Sequence, residues 1–336
     1  MIDIAKGVLA GGWALLVGWL LPTAINVTLF IVLVIPSLQG KDYSAKAIED
    51  AAGDAWLIIG VVIMAGLLLN ALQTPLYRIL EGYMFWPQWM HDLGRWLQGK
   101  RMGRLDKKIT KLQTAINAGK SRSLRLAIIE ERRALYPVDK NQVAPTRLGN
   151  SIRQFEEYSF NRYELDTQTL WYEISAVAPK EVSRQGDVAR GAVDLFVCLL
   201  FGHILVSLAA LGAALSGARN GGILWVTFAG LVVLARVWYQ VACVSAAEWS
   251  ATQQALANLG RRPLAKALGL ELPEDILEER RMWRRVTLFV QDAYVEGRHD
   301  FSEFRGGMEN IDEVEEVRIS GAGLRKVRSG KIKKGS

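Results

Sequence analysis

GAVDLFVCLLFGHILVSLAALGAALS, from Gly191 to Ser216, and ILWVTFAGLVVLARVWYQVACVSAA, from Ile223 to Ala247, decide the fold. Each exceeds the roughly 20 apolar residues that a helix needs to cross a hydrocarbon core about 30 Å thick. Only Asp194, His203 and Arg236 interrupt them. Two more runs, Gly7 to Pro36 and Ala55 to Leu76, meet the same requirement. The expected fold is therefore all-α: a polytopic membrane protein with four transmembrane helices and a helical cytoplasmic domain.

Composition agrees with two unlike populations in one chain. Half of the 336 residues are apolar while 22% are charged, which excludes a wholly disordered polypeptide. Cys198 and Cys243 both lie inside apolar runs, too few for a disulfide framework and without the spacing of a zinc site. The first run continues uncharged past Lys6 with no small-residue cleavage pattern, so it reads as a signal anchor. Pro22 in its middle predicts a kink or tilt. Trp56 and Trp225 at one level, and Trp86, Trp89 and Trp249 at the other, suit interfacial anchors.

Orientation follows from Lys and Arg. Residues 78–190 and 245–336 together hold 36 of the 41 basic side chains. By the positive-inside rule both termini and the central insertion are cytoplasmic. The net charge of +7 is then mainly a topology signal, weak as evidence for nucleic acid. The organisation expected is a first transmembrane pair in 1–90, a cytoplasmic helical insertion in 91–190, and a second pair in 191–248. A helical extension in 249–297 and a charged, disordered tail in 298–336 follow, the tail ending in a basic stretch suited to solvent or anionic headgroups.

Within the insertion, Leu105, Ile109, Leu112 and Ile116 make one helical stripe that stops at Gly119, and Leu124, Ile128 and Leu135 make a second, predicting a helical hairpin. Thr114 to Ser121, TAINAGKS, imitates a phosphate-binding loop but has Thr114 in place of the first glycine and follows a helix rather than a strand, so nucleotide binding is not expected. Downstream, Leu148, Ile152 and Phe155 form a buried face, while Arg147, Arg153, Glu156, Glu157, Arg162 and Tyr163 offer either a solvated surface or a surface for a cytosolic partner. Asp166 is placed to cap the next helix.

The segments PTRLGN (Pro145 to Asn150), FEEY (Phe155 to Tyr158) and RYELD (Arg162 to Asp166) resemble a group of bacterial polytopic membrane proteins for which no activity is established. The resemblance covers roughly residues 55 to 300 and implies the architecture alone; no functional residue is carried over. In that group the RY pair is commonly followed by glycine, whereas Glu164 stands here, which puts a tight turn at that point in question.

His203, Arg236, Gln240 and Asp194 are the polar residues singled out inside the spans. Arg236 is 12 residues from Glu248 and 11 from Trp225, on the order of 16 to 18 Å from either boundary. Tyr239, Gln240 and Cys243 share its helical face. His203 reaches a similar depth on the third span, so a neutral His203 accepting from Arg236 is one expectation, and two separately engaged polar residues the other. Asp194 sits near the cytoplasmic boundary, on the opposite face. Gly7, Gly11, Ala14 and Gly18 align for close helix packing, within one subunit or in a homo-oligomer.

Three function classes remain. In the first, the cytoplasmic helices bind a partner or ligand and couple it to the bundle, as a sensor or scaffold. The alternative is an oligomeric effector or anion-favouring channel lined by the Arg236 stripe. An enzyme is least favoured, because no catalytic motif, metal set or cofactor signature is present: His91, His203 and His299 are not spaced as paired ligands.

Overall fold

A computed structural model describes residues 12, 14–44, 46, 49, 53, 55–119, 123–293 and 300–305. All regular structure among them is helical. Gly7, Gly11 and the tail beyond residue 305 lie outside the described residues.

The first apolar helix, α1 (Leu21–Leu33), is preceded by a π-helical turn, Leu16–Leu20, and followed by one further turn, Ile35–Leu38. Proline 22 stands at the start of α1 and has no N–H to donate. The wider π turn, in which the Leu21 amide reaches back to the Leu16 carbonyl, takes up the mismatch. The whole stretch Leu16–Leu38 is long and apolar enough to cross a membrane.

The second run does not stay straight. Helix α2 (Ala55–Ala71) ends at Leu72, and α3 (Gln73–Glu81) leaves at 58° to it. Pro75 explains the break, since its ring would meet the carbonyl four residues back, at Ala71. The single span expected over Ala55 to Leu76 is thus a bent pair. Among the described residues three helices are long and apolar enough to cross a membrane, or four if this pair counts as one span.

The expected hairpin forms from α4 (Gln88–Asn117) and α5 (Ser123–Ala134), joined past Gly119, whose φ of +69° suits a residue without Cβ. Arg133 donates to Asp106 across it at 2.6 Å. Its stripe is only partly covered: Leu124 and Ile128, expected inward, are exposed, because the small core of Met102, Tyr136 and Val143 gathers at the hairpin's open end instead.

Helix α6 (Arg147–Tyr163) begins with Thr146 accepting from the Gly149 amide. It ends at Glu164, in left-handed backbone at φ 58°. The tight turn questioned on sequence grounds is therefore made, by a glutamate rather than a glycine. Asp166 Oδ1 accepts from the Gln168 and Thr169 amides, and the short α7 (Trp171–Val177) follows.

Two long helices then dominate. Helix α8 (Lys180–Leu215) and α9 (Gly221–Ala267) form an antiparallel pair. The turn between them is tied to the first connection by Arg219 on Asp42 and by Asn220 on the Lys41 carbonyl. Their apolar halves pack with α1 around Val34, Val206, Ala210, Leu224 and Leu231. The charged half of α9 enters a separate core with α10 (Ile276–Gln291), where Leu165, Ile174, Leu264, Met282 and Trp283 are almost wholly buried, and α8 meets its edge through Val182. Residues 300–305, expected within a disordered tail, fold back on this core: Phe304 is buried and its carbonyl accepts from the Glu271 amide at 2.7 Å.

Candidate functional site

Where the apolar helices meet the charged ones, α3, α6, α7, α8 and α9 line an open cavity of about 470 Å³. That is within the range of small-molecule sites. Its polar lining includes Gln73, Arg78, Glu81, Glu156, Arg190 and Gln253, and its aromatic lining includes Tyr77, Phe155, Trp171, Tyr172 and Trp249.

Position comes from helical spacing. Gln73, Tyr77 and Glu81 recur at i, i+4 and i+8, so the bend at Leu72 turns one face of α3 toward α8. There Tyr77 Oη and Gln73 Nε2 both donate to Asp194 Oδ1, each at 2.9 Å. Asp194 is buried yet satisfied, as an interior carboxylate must be. Phe155 packs on Trp249 at 4.8 Å between ring centres, and the Arg190 guanidinium lies over that indole at 5.8 Å. The Trp249 Nε1 is buried without a partner among the described residues.

Glu156 is the one residue of the expected partner surface that lines this cavity. Burial first, then the nearby Glu81 charge, pushes its carboxyl up to about 7, against the lowering effect of Arg153. A carboxyl poised there changes charge within the physiological range.

Of the other candidates, Arg147, Arg153 and Tyr163 are engaged inside the chain. Arg147 donates to Gln240 Oε1 at 2.6 Å, and its own amide and that of Leu148 approach Tyr239 Oη at 3.2 and 3.5 Å. Arg153 donates to Tyr83 Oη. Glu157 is half-buried with Oε1 unpartnered. Arg162 is exposed and lies over Tyr158 at 4.9 Å. Tyr163 donates to Asn258 Oδ1 at 3.0 Å beneath the Arg261 guanidinium.

Inside the apolar bundle the anticipated His203–Arg236 pair is not formed. His203 Nδ1 meets Asn26 Oδ1 of α1 at 2.8 Å, whereas Arg236 is exposed and lies over the Tyr239 ring at 5.6 Å. Equal depth does not guarantee the same direction around the bundle, and Asn26 takes the histidine first. Gly202 permits this, because a Cβ there would stand 2.0 Å from Asn26 Nδ2. The stripe after Arg236 is likewise covered: Tyr239 and Gln240 receive the start of α6, and Cys243 is buried. Of the small-residue stripe, Gly18 packs within the chain, with Asp194 Cβ 3.2 Å from its notional Cβ, and Ala14 is half-buried.

Sequence reasoning missed Asn26, Gln73, Tyr77, Glu81 and Arg190. The amphipathic spacing of Gln73, Tyr77 and Glu81 was a usable signal; Asn26 was hidden by being uncharged. Among the described residues no cluster of His, Cys, Asp or Glu could hold a metal ion. Compared with family models, curated proteins and solved structures, the chain matches none.

Proposed function

We propose that this is an integral protein of a bacterial inner membrane, with four spans and with both termini and the charged helices in the cytoplasm. In this reading the charged helices receive a cytosolic partner or a ligand, and the membrane bundle responds. The concentration of 36 of 41 basic residues in 78–190 and 245–336 supports the orientation.

One observation carries the coupling. Helix α9 runs unbroken from the core around Met282 and Trp283 into the apolar bundle, and α8 runs beside it from the edge of that core at Val182. A packed helix transmits displacement because interiors are dense and resist compression. The cavity beside Glu156 and Tyr77 lies midway along this path, with Asp194 of α8 joined to its wall.

The test uses the full chain in lipid nanodiscs. Met282→Ala opens the charged core, and hydrogen exchange is followed along 191–207 of α8 and 223–247 of α9. Coupling predicts faster exchange in both membrane segments. A change that stops before residue 250 leaves the bundle as a mere anchor and rejects the reading.

A second reading, self-assembly into an effector or anion pathway, is favoured by Arg236 alone, which stands exposed on the apolar half of α9. A guanidinium facing lipid there costs about 2.5 to 3.5 kcal/mol, and a neighbouring copy would relieve it. The copy number of the detergent-purified particle tests this; a strict monomer rejects it.

A further inference from the structure

A second cavity, of about 260 Å³, opens between α4, α5 and the start of α6. Arg101, Arg104 and Lys108 line it from α4, Arg132 from α5 and Arg147 from α6, while Cys243 of α9 is also in its wall. Among the described residues no carboxylate lines it. The acid on the neighbouring turn, Asp106, is already taken by Arg133. None of the five cations makes an ion pair among the described residues, and the four from α4 and α5 are exposed to solvent.

Such a gathering is unfavourable by itself. Arg101, Arg104 and Lys108 recur at i, i+3 and i+7, the spacing at which like charges destabilise a helix. Bringing two further cations from other elements to the same concave space adds repulsion and focuses positive potential there. An anion removes that penalty, and a guanidinium fork matches phosphate oxygens in geometry. The volume falls just short of the ~300–1,000 Å³ usual for larger ligands, which suits a phosphate group rather than a whole nucleotide.

Depth argues for the source. Cys243 belongs to the apolar run of α9, so the cavity wall reaches the end of that run. On the same helix as the three cations, Trp89, Leu93, Trp96 and Leu97 are exposed, and Lys100 Nζ lies 3.6 Å over the Trp96 ring. Leu97, Arg101, Arg104 and Lys108 continue at i, i+4, i+7 and i+11, one side of the helix. Aromatic and aliphatic side chains followed by cations are the pattern of a helix lying at a headgroup layer.

We propose that this cavity binds a phosphate-bearing anion and that the phosphate is supplied by an anionic lipid headgroup. The binding is separate from the coupling along α8 and α9.

Full-length protein in neutral detergent is titrated with phosphatidylglycerol, and retained lipid is counted by native mass spectrometry. Parallel arms use phosphatidylcholine and, by calorimetry, inorganic phosphate. The variants are Arg101→Gln/Arg104→Gln/Lys108→Gln, the single Arg132→Gln on the facing helix, and Arg262→Gln/Lys266→Gln, which removes charge elsewhere. The expected result is selective retention of phosphatidylglycerol, weakened roughly tenfold or more by the triple variant, measurably by Arg132→Gln and not by the control. Arg132→Gln decides the matter should the triple variant fail to fold. Inorganic phosphate binding with the same variant dependence, without retention of phosphatidylglycerol, supports the anion cavity and overturns its lipid source. Retention insensitive to both cavity variants, or no binding of either probe, overturns the proposal while leaving the exchange test of coupling unaffected.

Discussion

Arg280 donates to Glu164 Oε1 at 2.8 Å, bridging 116 positions of sequence, and the residue it grips stands in left-handed backbone. The same guanidinium donates to the carbonyls of Asn161 and Arg162 at 2.5 and 2.8 Å. Arg284 takes both carboxylate oxygens of Glu164. Carbonyls left open at the end of α6 thus find partners on α10.

This arrangement sets two costs against each other. A non-glycine residue in left-handed backbone is strained by roughly 1–2 kcal/mol, while partly exposed ion pairs return about 1 kcal/mol or less each. Glu164→Gly should therefore stay within about 1 kcal/mol of the native protein, and Glu164→Ala should be about 1 kcal/mol less stable than the glycine variant. Denaturant unfolding followed by the buried Trp283 checks the order; alanine at or above glycine contradicts it. The Arg284 hydrogen bond and the charges of Arg284 and Arg280 hold the Glu164 carboxyl below its usual range. Its stabilisation is present above the unfolded value near 4.3 and is lost as pH falls through the folded value, so Glu164→Gln should flatten the acid limb.

Glu156 has the opposite sign. Its carboxyl titrates near 7 in the fold and near 4.3 unfolded. Any stability from the protonated form is complete below the unfolded value and is lost as pH rises through about 7. Between pH 5 and 8 the native protein should lose of order 1–3 kcal/mol at this site. Glu156→Gln should remove that slope and be the more stable form at pH 8. Unfolding curves at the two pH values decide it, and parallel slopes for both proteins would count against a buried carboxyl there.

The Asn26–His203 contact can be weighed by a double-mutant cycle with Asn26→Ala and His203→Ala. Hydrogen bonds between membrane helices average about 0.6 kcal/mol and reach about 1.7, so a coupling in that interval is expected. Gly202→Ala gives an independent check: its Cβ would collide with the Asn26 amide, and adding Asn26→Ala to it should restore stability. Additive losses in the pair would mean the two residues do not meet.

Sidedness is accessible with two single-cysteine probes, because Cys198 and Cys243 are buried. Gln39 and Tyr172 are both exposed. In intact right-side-out spheroplasts a membrane-impermeant maleimide should label Gln39→Cys and spare Tyr172→Cys until the membrane is opened. The reverse pattern would invert the orientation.

Much of the architecture was legible in the sequence because transfer of apolar surface is additive along a run, and a window of residues suffices to sum it. Hence Gly191 to Ser216 and Ile223 to Ala247 needed no tertiary knowledge. Directions around a helix bundle are not additive in this way. His203 and Arg236 share a depth, but whether two side chains face each other depends on how each helix is rotated, and Gly202 and Asn26 set that rotation together. Pro75 lay hidden for a different reason: apolar character continues through Leu76, so hydropathy ran past a break that proline chemistry imposes. The charges of α6 were read as solvated or partner-facing, yet Arg147 and Arg153 find Gln240 and Tyr83, acceptors contributed by distant segments. Glu156 stood in the sequence beside Glu157 with nothing to tell them apart; only the packing of α3 against α6 does so.

The 47-residue α9 is about 70 Å long at 1.5 Å per residue, more than twice a hydrocarbon thickness of about 30 Å. It is in effect a lever whose outer arm is of the same order as the part immersed in lipid. A rocking of about 5° about its far tip would carry the other end by about 6 Å, slightly more than one helical pitch. On the coupling proposed above, motions too small to disturb side-chain packing at the core around Met282 would reach the bilayer as a full step.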